Sequence, residues 1–589
     1  MKLAELRHEE VDYGAPAGAT TLVIEGLAAV ALIKDDEFRW KWAALKGDCP
    51  WATSFQGCDF VTTWYRVYGD LYSPVIVRQI DTTGALVGLL TLAAQHFSGK
   101  LVVAGAHQAE YHGWLARPED GDAFITQALD LLRRDYPYAT LTFKTLPPNI
   151  PVGWLDTPSP WSGLALKRRH KRPLLEFGDG KSIAASLKKK SNKSRLNRLK
   201  RLGKLEFREI HTLGEFDSVF DQIADQYDFR QGAVNASVPF REDPLKKTFL
   251  RELMQHPGVL HVSALMLEDT PIAAVIANRE TDNVSVGVFS HSPFYAKHSP
   301  GKFHLLFLGA ALSEQGFSSL DLTPGGAWKD RFATTFDEVL EVTVHFSSAA
   351  ARRARWVVAL EAVASKMLNR VSIKPETIRA LPAKFENVTA DKIVQCARRW
   401  LWDTREFRLY SIDIETAGRT SAKRMMSVNN LGDLLQFAPS EDWQTRDNFL
   451  SQALYRLEGG DRVYSVSDEN ALLHFGWASD HVKESYFTEV GQSYEYPTGS
   501  SVLYDFYTSP DARGQALYQQ SLAQMLQESA QCEKIEKVFI SVLADNAASR
   551  HVIEKRGFKF QESFYRTVRF GMERRWTDPS IHGSQESGR

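Results

Sequence analysis

YDFYTSPDARGQALYQQSL at residues 504–522 and KVFISVLADNAASRHVIEKRGF at 537–558 read as two strand–turn–helix units in succession. In the first, a strand runs into a turn carrying Pro510 and Arg513-Gly514, and a helix follows. The first N–H groups of that helix have no intrahelical acceptor, and its dipole is positive there, so the turn is an anion site. In the second, Lys537 to Leu543 alternates as a strand, Asp545 or Asn546 caps a helix, and Gly557 ends it just before Phe558.

The rest of the chain sets the bounds. At 589 residues it is too long for one hydrophobic core, and two to four domains are expected. With 43% hydrophobic and 24% charged residues it has the composition of a folded soluble protein. Its 71 basic and 72 acidic residues leave a net charge of -1, so only local clustering can point to a partner. Cys49, Cys58, Cys396 and Cys532 form no CxxC pair and fit a reducing compartment. MKLAELRHEEVDYG carries acidic residues where a signal peptide needs an apolar run. Gly84 to Ala94, the most apolar stretch, is about half the roughly 20 residues that span a bilayer. The expectation is a cytoplasmic protein without a transmembrane segment, with peripheral attachment to a membrane complex left open.

Trp51 to Gly69 places aromatics at helical spacing after a Ser54 cap, and these predict core packing. Ser73 to Leu92 reads as two strands joined at Asp81 to Gly84. GAHQAEYHGW at 105–114 is polar and aromatic enough to line a cleft; its His107 and His112 have no partner at metal-ligand spacing, so no metal is expected. Two basic runs follow. KRRHKR occupies 167–172, and Lys188 to Lys204 holds nine Lys or Arg with no acidic residue, punctuated by leucines. The second run predicts a helix with one apolar edge, its basic face either simply solvated or a contact for phosphates. Strands at His261 to Glu268, Ile272 to Arg279 and Val284 to Ser290 lead into SPFYAKHSPGK at 292–302 and a helix from Phe303. Ser299 and Gly301 prepare that helix start, and Lys302 adds charge, so a second strand–turn–anion-ready helix is expected. Ala349 to Leu368 reads as a helix within a connector.

The opening stretch resembles the GNAT family of acyl-CoA-dependent N-acyltransferases, in which Q/R-x-x-G-x-G/A opens a helix and a later Asn precedes a helix closing in G-F. Pro510, Arg513, Asn546, Glu554, Lys555, Gly557 and Phe558 are in register, whereas Ala516, Tyr518 and Ile553 depart, the last where many members keep a Tyr that protonates the thiolate. The resemblance implies cofactor contacts at Arg513, Gly514, Gln515, Ala516, Asn546 and Ser549, and an acceptor base at Asp505. Tyr507 and Tyr565 are the candidates to replace the missing Tyr, and the spacing selects neither.

Phe55 to Gly69, Ser186 to Phe207, SPGK at 299–302 and LDLTPGGAWKDRF at 320–332 together resemble the CelD/BcsL family, whose BioF2-like domain is related to the FemAB/FemX aminoacyl transferases. This resemblance implies two tandem GNAT-like halves over about 20–346, phosphate contacts at Ser299, Gly301 and Lys302, and Asp321 or Lys329 near the acceptor. Alternation with Leu320 and Leu322 points Asp321 away from them, into a cleft or solvent.

The expected fold class is therefore α/β (α+β), with tandem GNAT-like mixed sheets, flanking helices and a C-terminal GNAT domain. The expected divisions are 1–166, 167–346, a helical connector over 347–404, the GNAT domain over 405–576, and a disordered tail over 577–589. The resemblances imply an acyltransferase taking acetyl-CoA or another acyl-CoA, without a metal, and modifying an amine or hydroxyl of a sugar precursor or related small molecule in exopolysaccharide synthesis. Two alternatives stay open: a FemAB-like transferase using charged tRNA, and a GNAT-derived binding module.

Overall fold

The computed structural model describes residues 18–178, 181–370, 402–417, 425–439, 444–469, 471–532 and 534–579. They divide into two compact units, the described parts of Met1–Tyr227, Pro239–Ser292 and His298–Arg370, and those of Asp228–Val238, Pro293–Lys297 and Val371–Arg589.

The first unit holds two sheets. Thr20–Glu25, Tyr72–Ile80, Leu86–Gln95 and Leu101–Val103 run antiparallel in that order, with Leu115–Ala116 also on Leu86–Gln95. The second sheet is ordered Thr140–Phe143, Thr335–His345, Ala165–Glu176, Ser319–Asp321, Asn283–His291, Thr270–Arg279, Leu260–Leu267, Leu205–Ile210. It therefore takes strands from both sides of position 167. The aromatics of 51–69 are core: Phe55, Phe60, Trp64, Tyr65 and Tyr68 are buried, each stabilising the fold by about 1.5–3 kcal/mol through lost apolar exposure. The helix there is Cys58–Val67, preceded by a 3-10 turn that Thr53 and Gln56 close as a capping box. Ser54, expected as the cap, instead donates its N–H and hydroxyl to Glu280.

The basic run is two helices. Lys181–Lys188 and Lys190–Lys200 break at Lys189, which is extended at ψ 133. Asn192 and Leu199 are buried and the cations stay exposed, but the apolar edge expected from the leucines packs inward only in part: Leu187 and Leu196 are half-buried, and Leu202 is exposed.

The second unit has one eight-stranded sheet, ordered Ser427–Val428, Arg462–Ser467, Leu472–Asp480, Ser500–Thr508, Lys537–Leu543, Trp402–Asp413, Lys559–Arg569, Met572–Pro579. The two eight-stranded sheets share a plan: the fourth and fifth strands are parallel, and the other described neighbours are antiparallel. The last strand runs to Pro579, three residues into the expected tail; 580–589 lie outside the described residues. Of the expected connector, Ser348–Arg370 is helical and 371–401 lie outside the described residues. Among the described residues no helix is long and apolar enough to cross a membrane, and no group of three His, Cys, Asp or Glu converges as metal ligands would.

Candidate functional sites

In the second unit, Ser500–Thr508 pairs with Lys537–Leu543 only from Ser500 to Leu503. Its other edge stays paired with Leu472–Asp480, but the register slips between Phe475 and Trp477, and Asp505 takes a left-handed φ of 49°. This is a β-bulge, and a bulge bends the strand and raises its twist. Beyond Leu503 the strand thus leaves its parallel neighbour, exposing backbone N–H and C=O groups along a wedge. The wedge leads to the helix Leu517–Ala530 through Gly514 and Ala516, both left-handed. The helix's first backbone bond joins Gln520 N–H to Ala516 C=O at 3.1 Å, so the N–H groups ahead of it have no intrahelical acceptor.

A cleft of about 1110 Å³ opens beside this wedge, and Tyr504, Asp505, Tyr507 and Arg513 line it. Asp505 forms an ion pair with Arg456. The guanidinium also lies 5.0 Å from the Trp477 ring centre and 5.1 Å from that of Tyr504. Tyr504 donates its hydroxyl to Asp461 at 2.6 Å. Sequence reasoning missed Arg456 and Asp461, because no local spacing ties them to the motif.

Asn546 and Ser549 meet each other: the Asn546 side chain accepts from Ser549 N–H at 3.1 Å and caps Ala547–Lys555, which settles the choice between Asp545 and Asn546. Ile553 is fully buried in the core. Tyr518 packs on Phe506 at 4.7 Å between centroids, and burial pushes its hydroxyl pKa up. Tyr507 stacks on Phe475 in the cleft wall, whereas Tyr565 stacks on Trp576 away from it.

The first unit repeats this plan. Asn283–His291 pairs with Ser319–Asp321 at three positions only, Asn283 to Ser285, and its other register slips opposite Gly287. The open edge leads to Pro300–Glu314, whose N-cap Ser299 is left-handed at φ 57°. A Cβ on Gly301 would lie 2.9 Å from Phe289 Cζ, so only glycine lets the helix start sit this close to the strand. Cations collect here. Lys302 Nζ donates to Asn192 Oδ1 at 2.9 Å, and Arg195 donates to Ser299 Oγ at 3.3 Å. Burial, and then the charges of Arg195 and Lys189, hold the Lys302 pKa below its ordinary value.

The two basic runs have opposite fates. Along 167–172, Lys167 pairs with Asp156, Arg169 with Glu338, His170 with Glu341, Lys171 with Asp330, and Arg172 with Asp321 and Asp337. Among the described residues, none of these carboxylates reaches Lys190, Lys193, Arg198 or Lys200, so that charge remains unmatched.

Asp321 points into a buried network and not into solvent. It is 1% exposed and accepts from Tyr111 Oη at 2.5 Å, Arg172 Nη1 at 3.2 Å and Thr323 N–H at 2.7 Å. Burial raises its pKa, against the opposing pull of Arg172. Lys329 donates to the Thr323 carbonyl and hydroxyl, each at 3.0 Å, and burial lowers its pKa. It thereby fixes the loop that stacks Trp328 on Phe289 at 5.0 Å, above the open strand edge. Glu280 is a further group missed in the sequence. It accepts from Ser54 N–H at 2.6 Å and Ser54 Oγ at 2.7 Å, and burial lifts its carboxyl to about 7.

Residues 187–357 match the family described as "Acetyltransferase (GNAT) domain", and 429–558 match "Acetyltransferase (GNAT) family". The chain carries two GNAT domains. Each match contains the parallel pair, the bulged strand beside it and the open helix start. No curated protein matches the chain. Similar solved structures include the C-terminal domain of a putative lysylphosphatidylglycerol synthetase from Agrobacterium fabrum, 12% identical, covering 55% of this chain and 96% of that one, TM-score 0.35. L-PGS from Bacillus licheniformis is 11% identical over 55% of this chain and 96% of that one, TM-score 0.34. FemX is 8% identical over 51% and 95%, TM-score 0.29. At these scores the likenesses carry no argument about either site.

Proposed function

We propose that the chain is an acyl-CoA-dependent acyltransferase of the cytoplasm, transferring an acetyl or other acyl group to an amine or hydroxyl of a sugar precursor or related small molecule. The observation that supports it is the twice-built wedge, where a bulged strand parts from its parallel neighbour just before an open helix start. Backbone N–H groups on the open edge suit the thioester carbonyl, and the helix start suits the CoA pyrophosphate. In the first GNAT domain Ser299, Gly301 and Lys302 would hold the phosphates, with Arg195 beside them; in the second, Arg513, Gly514, Gln515 and Ala516 would. Asp505, held in place by Arg456, takes the amine proton through a water as the C–N bond forms, and the C–S bond breaks to release CoA as its thiolate, which solvent protonates. Lys329 and Asp321 act as positioning groups: the one fixes the Trp328 loop, the other anchors the strand end beneath it. The CelD/BcsL likeness extends the reading to exopolysaccharide synthesis.

Purified protein incubated with acyl-CoAs and amino sugars should release free thiol. No release above a heat-killed control with any acyl group would refute the proposal.

The unmatched cations of Lys190–Lys200 favour a second reading, aminoacyl transfer from charged tRNA. Charge reversal at Lys189, Lys193 and Arg198 should then abolish tRNA retention, and unchanged retention would remove that option. Tyr518 against Phe506, in place of a small residue, favours a third: the C-terminal GNAT domain is a binding module, and Arg513→Ala leaves turnover intact.

A further inference from the structure

We propose that the helix Ser348–Arg370 docks on an anionic phospholipid surface. Its first turn is anchored: Ala351 is buried, and the Arg355 guanidinium donates to the Gly163 carbonyl. Directly after the anchor the side chains turn apolar and exposed together, with Trp356 at 71%, Val357 at 49%, Val358 at 39% and Leu360 at 63%. Isolated exposed apolar residues are ordinary, but Trp356, Val357 and Leu360 lie on one arc of the helix and form a patch that needs a partner.

The neighbouring charge identifies it. Arg352, Arg353 and Arg355 are exposed just before the patch, and the helix carries a single acidic residue, Glu361. At a step of about 100° per residue, Trp356, Val357 and Leu360 share one arc with Arg353 among them, Arg352 and Arg355 fall on the adjoining one, and Val358 faces away. A tryptophan beside leucine, flanked by arginines, is the composition of a helix lying at the headgroup boundary. The ring and aliphatic groups enter the acyl edge, and the guanidinium groups pair with lipid phosphates. The same helix is too short of apolar residues to span a bilayer, so it rests on the surface. A protein groove would fit the apolar arc alone but gives no reason for the exposed Arg352 and Arg353 beside it.

Flotation of the full chain with vesicles tests this. The chain should float with phosphatidylglycerol-containing vesicles at low salt, and not with pure phosphatidylcholine or at high salt. Trp356→Glu with Leu360→Glu should weaken partitioning by about tenfold or more, and each of Arg352→Gln and Arg353→Gln by about fivefold. The four positions are exposed, so the melting temperature should be unchanged. The proposal fails if the wild-type chain does not float, or if the Trp356/Leu360 variant floats equally well. It fails also if charge reversal at Lys190, Lys193 and Arg198 alone abolishes flotation, which moves the contact to the other basic helix. Self-association of the wild-type chain that the Trp356/Leu360 variant loses would assign the patch to a second copy and overturn it too.

Discussion

Ala516 holds a left-handed backbone, φ 58° and ψ 21°, at the mouth of the C-terminal wedge. A Cβ costs roughly 1–2 kcal/mol in that conformation, and glycine's extra freedom in the unfolded chain offsets about half of it. Ala516→Gly should therefore stabilise the C-terminal GNAT domain by about 0.5–1 kcal/mol in urea denaturation; destabilisation would mean the Ala methyl packs usefully. Arg456 holds Asp505 and lies over two rings, so Arg456→Ala should cost about 1–2 kcal/mol, read by the same measurement. Glu280 adds a pH dependence. Its folded pKa of about 7 lies above the ordinary carboxylate value, so between roughly pH 4.5 and 7 the folded chain keeps a proton that the unfolded chain has lost. The stability this confers is full below the ordinary value and falls as pH rises through 7. Glu280→Gln should flatten that decline, and parallel urea midpoints for both proteins from pH 5 to 7.5 would refute it.

At the scale of elements, the helix start at Pro300 depends on glycine. Gly301→Ala would press a methyl onto the Phe289 ring, which carries Trp328 on its other contacts. An expected cost of about 1–3 kcal/mol follows from overpacking, together with weaker CoA binding by calorimetry; unchanged affinity would show that the helix start does not meet the ligand. The turns that open these helices were legible in the sequence, although the first helix begins at Pro300, three residues ahead of the expected Phe303. Pro510, Gly514, Pro300 and Gly301 are local punctuation, and their effect on the backbone needs no distant partner. The bulges were not. Asp505 and Gly287 are offset by the register of a neighbouring strand, which no nearby residue encodes. Nor was the break at Lys189, where burial of Asn192 and Leu199 sets the second helix against the first unit's core.

Over the whole molecule, two GNAT domains with the same wedge predict two CoA sites per chain. Titration calorimetry should give a stoichiometry near two, falling to one for either Lys302→Ala or Arg513→Ala; a value of one that neither variant changes would contradict both assignments. The sequence by itself determined the mixed α/β class, the two strand–turn–helix blocks and the helix starts, because alternation, glycine, proline and cap residues act within a few positions. Only the tertiary structure decided which charges are available. Arg172 finds Asp337 across 165 positions, Asp505 finds Arg456 across 49, and Ser54 finds Glu280 across 226. Strand register and core packing bring such partners together, so Lys167, Arg169, Lys171 and Arg172 are paired with neighbouring carboxylates, while Lys190, Lys193, Arg198 and Lys200 have no such pairing among the described residues.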